Sequence, residues 1–480
     1  MKNMNPFSIV LCILVVLCAV SFLTADMPIQ WNQAVFNGFG MNLWDINCLI
    51  TFEGHLYAAA VEVSTGQCYI WRSENGYDWE NIDIGSMGSA AIKTMGVFDG
   101  YLYAGIGKST GAEIWRSGDG LNWDLIIDDG FDTSNINIYS MAELDGDFYV
   151  GTWGNGGGQI WRSPDGLFWQ KVNTNGFGNG SNVAITALME FDGYLYAGTN
   201  KWTDGCEVWR SADGTSWARV VANGFGNSDY NDSLVDFEEF DGSIFAAVMT
   251  FINGFEIWKS QDGINWVETA SPGFGDPVNT SATYTWCDLQ EHTGALYAST
   301  SLSRDVSDGG QVWRSFDGST WDRISDYGFG NSSNVKLFRS EVFDDYLYVG
   351  THNHNTGCEI WTNKPPVIDV DVDIKPGSTQ NSINPRSKGK IPVAILTTED
   401  FQANTVDVNE VRFGKTGIEA APVHYALKDV DGDGDLDLIL HFKTQETGIQ
   451  CGDTQAFLTG RTIDGKFIEG SDSVRTVGCK

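Results

Sequence analysis

Glu113-Ile114-Trp115-Arg116-Ser117-Gly118-Asp119-Gly120-Leu121-Asn122-Trp123 is one copy of a pattern that the chain repeats. An Ile/Val-Trp pair recurs at Trp71, Trp115, Trp161, Trp209, Trp258, Trp313 and Trp361, at steps of 44, 46, 48, 49, 55 and 48 residues. The first six open a Ser-x-Asp-Gly-x-x-Trp motif, with Asn75 replacing the aspartate in the first. Upstream of each lies a turn and a short apolar strand, as in Asp99-Gly100 before Leu102-Tyr103-Ala104. Downstream of most comes Gly-Phe-Gly, as at 176–178 and 328–330. Alternation and turn chemistry give each unit four strands, with Gly supplying the positive φ that a tight hairpin needs. A four-stranded unit of this length is a propeller blade.

Seven Leu-Tyr-Ala-like strands and seven Ile/Val-Trp strands are present, but Trp361 runs into Pro365-Pro366 with no fourth strand behind it. Trp31, Val35 and Gly38-Phe39-Gly40 have the spacing of that missing strand and its exit loop. The expected fold is therefore all-β, a seven-bladed β-propeller over residues 27–363, closed by its N-terminal strand so that no edge is left free.

The repeated Ser-x-Asp-Gly-x-x-Trp resembles the Asp-box of the sialidase-like (BNR-repeat) propellers, although that family's form is Ser-x-Asp-x-Gly-x-Thr-Trp. The resemblance implies a structural turn on the face opposite the active site. It does not extend to a sialidase centre, which needs an arginine cluster for the substrate carboxylate. Arg72, Arg116, Arg162, Arg210 and Arg314 belong to the repeat itself, leaving Arg304 and Arg339 in the upper loops and channel strands.

After Pro365-Pro366 the repeat stops, and residues 367–480 alternate polar and β-branched residues as a β-sandwich does. The stretch Ile374-Lys375-Pro376-Gly377-Ser378, with Ile391-Pro392-Val393-Ala394-Ile395-Leu396, resembles an accessory module of secreted prokaryotic proteins. Within it, Asp429, Asp431, Asp433 and Asp437 stand at positions 1, 3, 5 and 9 of a loop that turns at Gly434, and Asp435 at position 7 offers a carbonyl. Such an oxygen set suits Ca2+, though Leu440 stands where an EF-hand has its closing Glu. Cys451 and Cys479 lie close enough in this region to be expected as a disulfide.

Residues 1–25 read as a signal peptide: Lys2, the apolar run Ile9–Val20 and a cleavage site at Leu23-Thr24-Ala25. They imply a secreted or cell-surface protein without a later membrane span. The formal charge of −34 argues against nucleic acid and anionic lipid as partners. Seven cysteines then remain, and the five in the repeats (Cys48, Cys68, Cys206, Cys287 and Cys358) have no metal-ligand spacing.

Aligned on their Asp-Gly turns, the innermost strands place Asp236, Asp288 and Arg339 at one equivalent position, where the other blades carry Cys48, Thr94, Ser140 and Ala187. Two carboxylates and an arginine on adjacent channel strands serve either acid–base chemistry or a salt-bridged lining. Trp44, Trp153, Trp202, Tyr230 and Trp286 fall in mouth segments where a sugar ring could be gripped. Four sequons, at Asn179, Asn231, Asn279 and Asn331, leave strand four as candidate glycosylation sites. Glu113, Glu207, Glu256 and Glu359, with Gln159 and Gln311, recur at the start of strand three and are expected to bond a neighbouring blade's backbone. The functional expectation is a non-enzymatic binding or adhesion protein whose propeller presents a face to carbohydrate or an extracellular protein. A glycan-active hydrolase or lyase using the channel carboxylates is the alternative, and a structural envelope component a third reading.

Overall fold

The computed structural model describes residues 29–479 apart from 63, 132–134, 283, 303–307 and 464–465. The expected signal peptide and Arg304 lie outside the described residues. The regular structure of the described residues is mainly β-strand, and no helix among them is long and apolar enough to cross a membrane.

The strands between Asn32 and Thr362 pair into seven antiparallel four-stranded units, a propeller-like arrangement. In the fourth, Asn182–Phe191, Tyr194–Lys201, Val208–Ser211 and Ala218–Val221 pair in chain order. The seventh takes its last strand from the other end of the chain: Asn32 pairs with Thr362, Gln33 with Trp361 and Val35 with Ile360. Successive units also touch through single bridges, such as Asn200–Ser233, Ser301–Lys336 and Asp45–His352.

One local construction recurs and explains the composition. In the turn after strand three, Ser211 Oγ donates to Asp213 Oδ1 at 3.0 Å, and the same oxygen accepts the backbone amides of Thr215 and Ser216 at 2.8 and 2.6 Å. Amides that bond the ionised form lower a carboxyl's pKa, and in the equivalent turn those of Thr320 and Ser319 bring Asp317 down to about 2. Gly214 closes the turn at φ 67°, and a Cβ there would overlap the phenol of Tyr149 from the preceding unit. The glycine is thus required twice, for its backbone and for its missing side chain. In the exit loop Phe177, at φ 55°, stacks on Trp209 of the next unit at 4.4 Å and 8° and meets Trp217 edge-on at 5.5 Å. Phe39–Trp71, Phe131–Trp161 and Phe329–Trp361 repeat the stack. Each such pair adds about 0.5–1.5 kcal/mol beyond the apolar area it buries.

Strand three carries the second tie. Glu207 Oε2 accepts the indole N–H of Trp209 and one amide hydrogen of Asn182, each at 2.9 Å, while Asn182 donates also to the Gly176 carbonyl in the incoming loop. Asn231–Glu256–Trp258, Asn334–Glu359–Trp361, Asn135–Gln159–Trp161 and Asn279–Gln311–Trp313 follow suit. The recurring acidic residue therefore binds side chains of its own unit rather than a neighbour's backbone, and the buried asparagine carries the bond to the preceding loop. This corrects two of the glycosylation candidates. Asn231 and Asn279 are fully buried with their amide hydrogens committed, which leaves no room for a glycan in the folded chain. Asn331 is half-buried and donates to Thr356 and Glu359, whereas Asn179 is exposed.

Residues 367–476 form two four-stranded sheets and a short parallel pair. One sheet holds Val367–Asp369, Phe467–Ser473, Gln455–Thr462 and Val406–Gly414. The other holds Val372–Ile374, Lys390–Ile395, Asp437–Lys443 and Pro422–Lys428. Both contribute to a single core around Ile374, Val393, Phe413, Leu440, Phe442 and Leu458. Cys451 and Cys479 are disulfide-bonded, with Cα atoms 5.7 Å apart. The five cysteines of the repeats are buried thiols, and burial pushes Cys48 and Cys68 up to about 12, which removes them as nucleophiles.

Candidate active site in the central channel

Side chains bond several of the innermost strands to those of the neighbouring units. Ser140 Oγ donates to the Ile185 carbonyl, Thr186 Oγ1 to that of Leu234, and Thr51 Oγ1 to that of Val342. Between them lies a cavity of about 350 Å³ lined from all seven: Asn47, Lys93, Tyr139, Thr186, Asp236, Asp288 and Arg339. A site assembled from strands of seven hydrogen-bonded sheet units is held by many backbone bonds at once, which favours fixed geometry.

The structure brings together the three residues that the turn alignment placed at one level. Asp288 Oδ1 takes Arg339 Nη1 at 3.3 Å, and its Oδ2 accepts the Ser340 amide at 2.7 Å and the Ser340 hydroxyl at 2.8 Å. Asp236 accepts the amides of Phe237 at 3.0 Å and Leu289 at 2.8 Å. Burial and then the neighbouring Asp288 charge push the Asp236 carboxyl well above the usual range, against the pull of Arg339. The two carboxyls thus differ: Asp236 is poised to hold a proton and Asp288 is paired with a guanidinium. Arg339 sits at φ 67° where the register slips between Leu337 and Ser340. A non-glycine residue in that region costs about 1–3 kcal/mol, and such strain collects at functional sites.

Further along the same strands, Glu238 Oε1 accepts the Glu291 amide at 2.7 Å and Glu341 Oε1 that of Thr51 at 3.1 Å. Burial raises both carboxyls to about 7. In the unfolded chain each titrates near 4.5. The folded state therefore holds extra protons between those values, so the stability these groups contribute is complete below about pH 4 and is lost as the pH rises through 7. At about 1.4 kcal/mol per pKa unit the cost above pH 8 is on the order of 3–4 kcal/mol apiece. Glu238→Gln and Glu341→Gln keep the acceptor oxygen and remove the charge. Thermal unfolding should show each variant several degrees more stable than the parent at pH 8 and equal to it at pH 4.5. Equal midpoints at both pH values would mean that the channel solvates these carboxylates.

The aromatic candidates separate. Trp286 lines the cavity, and the Lys336 ammonium lies 5.1 Å from its ring centre. Trp202 is 68% exposed and Tyr230 is exposed, while Trp153 is half-buried; none of the three reaches the cavity. Trp44 donates its indole N–H to Asn42 Oδ1 at 3.0 Å and meets the His354 ring edge-on at 4.8 Å. That contact leads to a cluster that the repeat alignment missed. His352 is fully buried; its Nδ1 bonds Asp45, and its Nε2 lies 2.6 Å from Nε2 of His354. Burial alone would raise the Asp45 carboxyl. The His352 hydrogen bond, with the charges of His352, Lys336 and His354, holds it below the ordinary range instead.

Outside the repeats, Asp429, Asp431 and Asp433 each offer a carboxylate oxygen, all within 4.8 Å of one another, and this cluster could hold a divalent cation. Asp437 is not free to join it. Its side chain is buried, with Oδ1 accepting the Thr397 amide at 2.9 Å and Oδ2 that of Val430 at 2.8 Å. That placement corrects the expected ligand set: Asp437 anchors the loop on the adjoining strand. Asp435 donates its backbone amide to Asp433 Oδ1 at 3.0 Å.

No protein-family model matches the chain, and no curated protein matches it. Solved structures do resemble it. The catalytically inactive His-to-Ala variant of virginiamycin B lyase from Staphylococcus aureus, with quinupristin, is 10% identical over 69% of this chain and 98% of that one, at a TM-score of 0.52. The selenomethionine form of the same lyase is 9% identical over the same shares, at 0.50. The WD40 β-propeller domain of Doa1 follows at 11% identity, 70% and 97% coverage, and 0.46. The likeness to the lyase structures is one of fold alone. Lyase structures are among those that resemble this chain, and the channel holds two carboxyls beside an arginine, so the expectation of a non-enzymatic adhesion protein is not kept.

Proposed function

We propose that the protein is a glycan-active enzyme, a hydrolase or lyase, that cleaves a C–O bond at the mouth of a seven-bladed ring. Two observations support the ring: the pairing of Asn32–Val35 with Ile360–Thr362, and a cavity that touches all seven inner strands. The observation that carries the reaction is the pair of channel carboxyls with Arg339 beside one of them. Asp236, kept protonated, donates its proton to the departing oxygen. Asp288 is anchored by Arg339 and Ser340 and sets the position of that guanidinium against the substrate. Trp286 offers a ring face for a sugar. The test is turnover by the full chain on a panel of neutral and acidic polysaccharides, read as new reducing ends, with Asp236→Asn as the control. Cleavage that the variant lacks supports the reading; no cleavage anywhere on the panel, or cleavage equal in the variant, refutes it.

We also propose that residues 367–480 form a separate accessory domain of a secreted protein and that its aspartate loop takes Ca2+. Asp429, Asp431 and Asp433 supply hard oxygen donors of the kind calcium prefers. A cation that binds only the folded state stabilises it by mass action, about 2.7 kcal/mol at a hundredfold excess over Kd. Millimolar calcium should accordingly raise the unfolding temperature of the parent, a chelator should reverse the rise, and Asp431→Ala should respond to neither. A parent indifferent to both would remove the calcium assignment.

A further inference from the structure

The seven units repeat the same tryptophans, glycines and turns, so a position that changes from unit to unit is not dictated by the architecture. The backbone builds one such position. In the first unit Ile46 pairs with Ala60 and Cys48 with Ala59, which leaves Asn47 as an extra residue on the inner strand. The same slip in the next four units leaves Lys93, Tyr139, Thr186 and Val235 as the extra residues. All five line the channel cavity, as does Arg339 in the slip of the seventh unit. A β-bulge re-aims a side chain, and bulges gather beside active sites. Six inserted residues of six types thus form a collar around the cavity on an otherwise repeated frame.

The charges of the cavity do not balance. Arg339 is paired with Asp288 at 3.3 Å, and Asp236 keeps its proton in the reading given above. Burial raises the Tyr139 phenol and the Cys287 thiol, so these two lining groups stay neutral. Lys93 is left over. Among the described residues no hydrogen bond or ion pair reaches its ammonium, and burial lowers its pKa. The carboxylate whose charge acts on it, Asp45, is not part of the lining and is bonded to His352. Two lining cations therefore face one ionised carboxylate, and the cavity is positive inside a chain of formal charge −34. Its volume of about 350 Å³ lies within the range of small-ligand pockets. An ammonium confined there without an acceptor gains most from a ligand that brings a negative charge.

We propose that Lys93 binds an anionic substituent of the substrate, a carboxylate or a sulfate ester, so that the glycan cleaved is an acidic one. The inference rests on the protonated Asp236 of the reading above, since an ionised Asp236 would neutralise the cavity. In the ring proposed there, the second unit stands across from the fifth and the sixth. The anion at Lys93 and the bond broken beside Asp236 thus take opposite walls, and the sugar that spans them enters in one orientation. Lys93 is a positioning residue: it selects the substrate and leaves the proton transfer to Asp236.

The experiment is calorimetric titration of the full chain carrying Asp236→Asn, which does not consume its ligand. The probes are oligogalacturonate and a sulfated galactan oligosaccharide, each beside its carboxyl-reduced or desulfated counterpart; the two arms tell carboxylate from sulfate. At least one acidic probe should bind more tightly than its neutral counterpart, and the difference should shrink with added salt. Adding Lys93→Gln should weaken the acidic probe about 10–100-fold, the worth of a hydrogen bond between charged partners, and leave the neutral one unchanged. The unfolding temperature should not fall, because the charge removed has no partner to lose. Where Lys93→Gln does not fold, Lys93→Met takes its place. Acidic and neutral probes bound alike, no binding of either, equal weakening of both by Lys93→Gln, or a lowered unfolding temperature would each overturn the proposal. Lys93-dependent binding of an acidic probe that the parent chain never cleaves would leave the anion site standing and take the proposed function. Asp236-dependent cleavage confined to neutral glycans would do the reverse.

Discussion

A chain cut back to begin at Met41 is expected to lose cooperative folding. The deletion takes the outer strand of the seventh unit, with its pairings to Thr362, Trp361 and Ile360. It takes Gly38, whose amide reaches the Cys358 carbonyl at 2.8 Å, and Phe39, stacked on Trp71 at 4.4 Å. It also takes Trp31, which donates to the Ile324 carbonyl at 2.9 Å and lies 5.1 Å from Phe329. Each backbone bond contributes about 0.5–1.5 kcal/mol net, and each buried large apolar side chain about 1.5–3 kcal/mol. The loss therefore exceeds about 5 kcal/mol, a large part of the ~5–15 kcal/mol that stabilises a typical folded protein. It also exposes the edge at Ile360–Thr362 to pairing between molecules. Thermal unfolding and size-exclusion chromatography would show a broadened, early transition and soluble aggregates. A monomer that melts within a few degrees of the parent would mean that the ring does not depend on its closing strand.

That strand is legible in the sequence because its cue is one of counting. Six fourth strands follow seven tryptophans, and Trp31 to Gly40 has the missing spacing. The level of Asp236, Asp288 and Arg339 was legible for a related reason: every inner strand ends at a tight turn, so counting back from the turn gives depth in the channel. Other features escaped because their partners are not periodic. Asp45 and His352 lie 307 residues apart and meet only across the closure, where the first unit abuts the last. The sequons at Asn231 and Asn279 satisfy a local rule, yet the same asparagines are the buried ties of their units, which only the long-range bonds to Glu256 and Gln311 disclose. Asp437 looked like a ligand by spacing. Its place at the start of a buried strand commits both of its oxygens to backbone amides.

Substitution of Asp236 by Asn is expected to lower turnover about 10²–10⁴-fold, the range a positioned proton donor supplies, while stability at neutral pH rises. The two effects have one cause. Burial, and then the Asp288 charge, favour the protonated carboxyl, so the folded state binds a proton that the unfolded chain gives up above about pH 4. The stability contributed by Asp236 is thus complete below the unfolded value and is lost as the pH rises toward its folded one. Asparagine keeps an oxygen to accept the amides of Phe237 and Leu289 and carries no charge to be desolvated, but it has no proton to give to a leaving oxygen. Asp288→Asn should behave in the opposite way. Arg339 then loses its 3.3 Å contact with Asp288, and breaking a buried ion pair costs up to about 3–5 kcal/mol, less where other groups or water meet the guanidinium. The two variants should diverge in thermal unfolding at pH 7, Asp236→Asn above the parent and Asp288→Asn below it, although both lose activity. An Asp236→Asn protein less stable than the parent, with turnover intact, would return both carboxyls to the role of a salt-bridged lining.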